Sequence, residues 1–179
     1  MSVHFHKGEL EAQQQFGDGS DPDARAETLA QRLFKSAIDD ETAYFIEGQS
    51  FFFIASADAQ GNCDCSFKGI GEQGSPCLQV LDSKTVVFPD YSGNGLFNTL
   101  GNILVNPNVG LLFVDFSNAL RIRLNGRAEV IEDMSEHQTT WPKAKRLIKI
   151  KVATIYPNCS RNIPKLEKSI ATNKGGEQW

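Results

Sequence analysis

FPDYSGNGLFNTLGNILVNPNVG, residues 88–110, joins two unlike signals. Phe88 closes an apolar, β-prone run, TVVF, and a polar turn over 89–95 follows it. Leu96, Leu100, Ile103 and Leu104 then share one stripe, which predicts a short helix over 96–105. Asn106-Pro107 stops that helix, because proline disfavours helical geometry in the residue before it. A strand, a turn rich in glycine and side-chain amides, and a helix start can serve two ends. Gly93 and Gly95 allow left-handed turn geometry, and Asn94 can cap the helix. The same turn can offer backbone N–H groups and the amides of Asn94 and Asn98 to an anion such as phosphate. Lys68, ending an earlier strand, would add a formal positive charge to that second use.

Working outward, the chain is dominated by strand patterns. FFFIASA (51–57) and CDCSFKG (63–69) flank a glycine-bearing turn, as the arms of a hairpin do. CLQVLDSKTVVF (77–88) gives a short apolar run, an Asp-Ser-Lys turn and another strand. VGLLFVDF (109–116) is apolar on both faces, which suits a strand covered on both sides. ALRIRLNGRAEVIED (119–133) alternates, and KRLIKIKVATIYP (145–157) makes a last strand after an irregular stretch over 134–142. The predicted architecture is mainly β with α additions, a single barrel domain of roughly six antiparallel strands plus short helices. Residues 1–22 form an N-terminal arm in which Gly17, Gly19 and Pro22 break regular structure. A helix is expected over 23–40, where Leu29, Leu33, Phe34, Ala37 and Ile38 recur at helical spacing. The barrel occupies 51–157, and 158–179 is a C-terminal tail.

Composition narrows the function classes. The chain has 179 residues, 40% hydrophobic and 22% charged, ordinary values for a soluble globular domain. No apolar run approaches the roughly 18–20 residues of a membrane span, and the polar start has no signal-peptide core. A cytoplasmic protein without a membrane partner is expected. Residues 141–179 hold 9 basic and 2 acidic groups, the reverse of the preceding chain. That basic run lacks aromatic interleaving, so no nucleic-acid partner is expected, and its charges should be solvated or meet acidic groups of a partner chain. The four cysteines, Cys63, Cys65, Cys77 and Cys159, have no disulfide-framework spacing. The Cys-x-Cys pair has no second half with ligand spacing, so no metal is expected.

Taken together, FFFIASADAQGNCDCSFKG, TVVFPDYSGNGLFNTLGNILVNPNVGLLFVDF, LRIRLNGRAEV and IYPNCSRNIPK resemble the flavin-binding split-barrel family related to pyridoxamine 5′-phosphate oxidase. The opening HKGELEAQQ resembles the start of some of its members. The resemblance implies an FMN-binding split β-barrel that works as a homodimer, with one FMN in each of two clefts at the dimer interface. Position by position, it places Ser66, Phe67, Lys68 and Gly69 along the flavin, with Phe88, Pro89, Asp90 and Tyr91 at the end of the next strand. Asn94, Gly95, Asn98 and Thr99 fall at the phosphate-side turn and helix start, and Arg121 makes a polar flavin contact from the long strand. Arg123 and Arg127 share its strand face and are expected to be solvated.

Two departures set this chain apart from the vitamin B6 oxidase. Phe97, Asn98 and Thr99 stand where that enzyme carries a Ser-Arg-Lys run, so two basic charges are absent. Cys159 and Arg161 stand where its late substrate-binding arginine and histidine would be, and they become the candidate substrate contacts. The implied function is an FMN-dependent oxidoreductase acting on an unidentified small molecule, without a named catalytic residue. The alternative is a flavin- or haem-binding or sensing protein without turnover.

Overall fold

Period-two alternation of apolar side chains builds seven strands among the described residues: β1 (Phe51–Ala57), β2 (Cys63–Gly69), β3 (Gln79–Asp82), β4 (Thr85–Asp90), β5 (Asn108–Asp115), β6 (Leu120–Ile131) and β7 (Arg146–Pro157). The computed structural model describes residues 5–17, 28, 31–71 and 74–166. The strands form one sheet in the order β2-β1-β5-β6-β7-β4-β3, and every pairing is antiparallel. The sheet does not close, so β2 and β3 keep free edges. This is the mainly β architecture with short helices that the alternation predicts. The Asp-Ser-Lys turn splits the 77–88 run into β3 and β4, with the Lys84 N–H donating to Asp82 Oδ1 at 2.6 Å.

The concave faces of the strands meet in one core. Phe52, Ile54, Phe88, Leu111, Phe113, Leu124, Ile148 and Ile150 are at most 1% exposed there. Phe52 sits between Phe88 and Phe113, with ring centroids 5.2 and 5.4 Å away. Each such side chain contributes about 1.5–3 kcal/mol by leaving water. A smaller cluster of Val87, Trp141, Ala144 and Leu147 packs on the other face of β4, and the Trp141 indole donates to the Pro76 carbonyl at 2.7 Å. Cys77 is buried beneath it all, its thiol donating to the Gln49 carbonyl at 3.1 Å. Burial pushes that thiol up to about 11, so it stays protonated and unreactive.

Short helices decorate the sheet. The expected irregular arm contains α1 (Lys7–Phe16), which starts with a capping box in which His6 accepts from the Gly8 N–H and Glu9 returns the bond. Of the helix expected over 23–40, the described residues 28 and 31–33 are helical, and the chain leaves the helix from 34 onward. At its described end Lys35 exchanges backbone hydrogen bonds with Ile155, at 2.9 and 2.8 Å, so the chain there is extended. Helix α2 (Asp40–Glu47) follows instead, capped by Asp39 through the Thr42 N–H. Helix α3 (Asn98–Val105) lies over β1, β2 and β6. None of these helices is long and apolar enough to cross a membrane. The basic segment of β7 meets acidic groups of its own chain, with Arg146 at 3.3 Å from Asp90 and Lys149 at 2.7 Å from Glu129.

Candidate functional site

The turn between β4 and α3 differs in one respect from its expected form. The helix starts at Asn98, two residues later than its apolar stripe suggests, because Asn94 does not cap it. The Asn94 Oδ1 accepts instead from the Leu96 N–H at 3.0 Å, closing a small turn within the loop. Gly95 follows with φ of 81°, a geometry that costs a non-glycine residue strain. Phe97 then takes the N-cap position with φ of 53° and makes no side-chain cap bond. An aromatic residue in left-handed geometry at a helix start is held there by its surroundings. The first N–H groups of α3 are thus left without a side-chain acceptor.

Opposite this helix start lies the concave face of β2. The register pairs Phe52 with Lys68 and Ile54 with Ser66, so Lys68 and Ser66 share the face of the buried Phe52 and Ile54. Thr99 donates to the Ser66 hydroxyl at 3.0 Å, and Ser66 donates to Asp64 at 3.0 Å, which ties α3 to the edge strand. Between the two elements is a cleft of about 210 Å³, lined by Ser66 and Lys68 from β2, Asp90 and Tyr91 from the end of β4, and the 93–100 segment. A second, wider cleft of about 780 Å³ shares Tyr91 and runs toward Ile70, Gln138 and Lys145. Gly71 lets the Tyr91 hydroxyl approach the backbone between them, where a methyl group would collide with it.

The electrostatics of the small cleft follow from partial burial. Desolvation pulls the Lys68 ammonium below the ordinary lysine pKa, with Asp90 and Asp64 drawing it back up. Desolvation likewise raises the Asp90 carboxyl, opposed by the charges of Arg146 and Lys68. Arg146 reaches this place because β4 and β7 pair in a register that sets Asp90 directly opposite it. Its guanidinium lies over the Phe97 ring, 5.8 Å from the centroid. Sequence reasoning placed Arg146 on a basic strand whose charges are solvated or meet acidic groups of a partner chain. The signal that would have found it is the long-range pairing of β4 with β7, which no local pattern carries.

The structure thus gathers Ser66, Lys68, Asp90, Tyr91, Asn94, Gly95, Asn98 and Thr99 around one cleft. Phe88 and Pro89 stand behind it, buried, with Phe88 edge-on to Phe52. Phe67 points to the opposite, convex face of β2 and is 61% exposed, and Gly69 ends that strand beyond the cleft. Arg121 is also on the convex face, paired across from Val114, two strands beyond β1. Its Nε is buried and has no hydrogen-bond partner among the described residues. Cys159 and Arg161 follow the far end of β7, whereas the cleft adjoins that strand's first residue, Arg146. The two are therefore apart from the cleft of their own chain. Arg127 donates to Asn108 at 3.3 Å on an exposed face. Cys63 and Cys65 are exposed, and no group of three or more metal-binding side chains occurs among the described residues.

Comparison with known proteins bears on the whole sheet. The family model described as pyridoxamine 5′-phosphate oxidase matches residues 38–159, and no curated protein matches the chain. Among solved structures, HupZ of Group A Streptococcus is similar at 21% identity and a TM-score of 0.55, over 73% of this chain and 99% of that one. A candidate pyridoxamine 5′-phosphate oxidase from Lactobacillus delbrueckii is similar at 18% identity and a TM-score of 0.54, over 68% and 95%. An FMN-binding protein from Syntrophomonas wolfei is similar at 12% identity and a TM-score of 0.50, over 79% and 98%. At these identities the likeness is one of fold.

Proposed function

The chain belongs to the pyridoxamine 5′-phosphate oxidase family, and from that premise we propose that it is an FMN-dependent oxidoreductase acting on a small molecule. The phosphate of FMN sits in the cleft between β2 and the start of α3. Lys68 carries this reading: a half-buried ammonium, with no ion pair among the described residues, faces the uncapped N–H groups of α3. A phosphate with about −1.5 to −2 charge satisfies both at once. Ser66, fixed by Thr99, is placed to bond the cofactor's hydroxyl-bearing chain. When bound, the isoalloxazine ring supplies hydride transfer, and the protein binds, orients and electrostatically tunes it.

The partner is a second copy of the chain. Phe51, Phe53, Phe67 and Phe116 form a connected aromatic patch on the convex face, with ring centroids 5.3–6.3 Å apart. Among the described residues Phe67 in this patch is 61% exposed, an apolar surface of the kind that marks an interface. Pairing there would cover it. The exposed loop bearing Cys159 and Arg161 then forms a substrate wall for the partner's cleft, with the Arg161 fork suited to a carboxylate.

An absorption spectrum of the purified protein tests the proposal. A flavin band, with FMN identified after release, is the expected result. A Soret band, or a colourless protein that takes up no FMN, contradicts it. Flavin bound without turnover of any acceptor or donor would instead favour a binding or sensing role.

A further inference from the structure

The cleft asks more of its charges than Lys68 alone supplies. Asn98 and Thr99, at the start of α3, are uncharged. Asp90 also lines the cleft, and its field offsets that of Lys68. A dianionic group placed there would meet one cation and one carboxylate. A further cation that contacts the lining of the cleft belongs to β7. Arg146 is one-third exposed, lies 3.3 Å from Asp90 through its Nε and stacks over Phe97, and both of those residues line the cleft.

These two contacts do different things to a guanidinium. The Asp90 carboxylate engages the Nε edge, which leaves the two terminal nitrogens free to donate. The Phe97 ring holds the plane of the group from one side and lowers its freedom to swing away. A planar fork held by one edge and one face is preorganised, so little side-chain entropy remains to be lost when a ligand arrives. The Asp90–Arg146 backbone register keeps this arrangement next to two residues that line the cleft, Asp90 and Phe97. The left-handed backbone of Phe97 gains a purpose as well, since it turns the ring toward β7.

We propose that Arg146 is the second cationic ligand of the phosphate in this cleft, oriented by Asp90 and Phe97, and that it makes the site specific for a phosphorylated over an unphosphorylated ligand. The inference rests on the reading of the cleft as the FMN phosphate site. Lys68 from β2 and Arg146 from β7 then approach the group from two sides, and Asp90 serves Arg146 rather than the ligand.

The test is titration of the cofactor-free protein with FMN and with riboflavin, which lacks the phosphate, followed by quenching of flavin fluorescence. Arg146→Gln should weaken FMN by about tenfold or more and leave riboflavin within about twofold, as expected for a charge-assisted hydrogen bond. Arg146→Lys should recover part of the loss, because it keeps the charge but not the fork. The double variant Asp90→Asn, Arg146→Gln removes the carboxylate that the single change would strand. It should remain weak for FMN. Recovery of FMN affinity in the double variant would mean that the single loss came from an uncompensated Asp90, and the proposal falls. An Arg146→Gln protein that binds FMN as the parent does, while Lys68→Ala loses FMN selectively, overturns the role of Arg146 and leaves the cleft reading intact. A parent protein that binds FMN and riboflavin equally overturns both.

Discussion

Along β1 the side chains that point inward, Phe52, Ile54 and Ser56, are no more than 5% exposed, while their neighbours Phe51, Phe53 and Ala55 stay partly open to water. The residues are as apolar on one face as on the other. What differs is what each face meets. The concave face is completed within one chain by β4, β5, β6 and α3. The convex face has its aromatic rings packed on each other, with Phe67 61% exposed among the described residues. The first face carries the stability of the fold, and the second is the face proposed for assembly. The cleft lies where the concave face runs out, at the free edge of β2, and borrows its rigidity from that face.

Substitutions of the same chemistry on the two faces should therefore behave differently. Phe113→Ala should cost about 3–5 kcal/mol in denaturant unfolding, since the ring is fully buried between Phe52 and its neighbours and leaves a cavity. Phe67→Ala should change the unfolding of a dilute monomer by less than about 0.5 kcal/mol. Comparable losses at the two positions would erase the distinction between the faces.

Assembly is the next largest effect. Phe67→Asp should convert a dimer at micromolar concentration into a monomer by light scattering, with the far-ultraviolet circular dichroism unchanged. A parent protein that is already monomeric while holding flavin would show that the convex face does not pair.

A third effect concerns the seam between the faces and depends on pH. Burial lowers the Lys68 pKa, so the residue loses its proton earlier in an alkaline titration than a solvated lysine does. FMN affinity should therefore fall as pH rises through that range, by no more than the loss seen in Lys68→Ala, about ten- to a hundredfold. Lys68→Arg should flatten the decline, because a guanidinium keeps its charge. An equal alkaline decline in Lys68→Ala would assign the titration to another group.

Much of this was legible in the sequence, for reasons that differ by element. The β-strands announce themselves through period-two alternation, which is local, and FFFIASA and LRIRLNGRAEVI needed no tertiary information. Helix α2 was missed although Asp39 followed by Asp40 and Glu41 is an N-terminal signal, because the apolar spacing upstream of it was more regular. The turn before α3 was recognisable as an anion candidate from its residues. Its details were not: Asn94 closes a local turn on the Leu96 N–H instead of capping the helix, and the left-handed Phe97 packs its ring against Arg146 of β7. Arg146 was invisible because its place is fixed by the β4–β7 register, which links distant parts of the chain.

The central claim is that the cleft recognises a flavin through its phosphate. The most direct test is the ratio of dissociation constants of FMN and riboflavin for the cofactor-free parent protein at one pH and one salt concentration. A ratio favouring FMN by about tenfold or more is the expected result, given one or more charge-assisted contacts to the phosphate. Equal binding of the two, or binding of neither, contradicts the account.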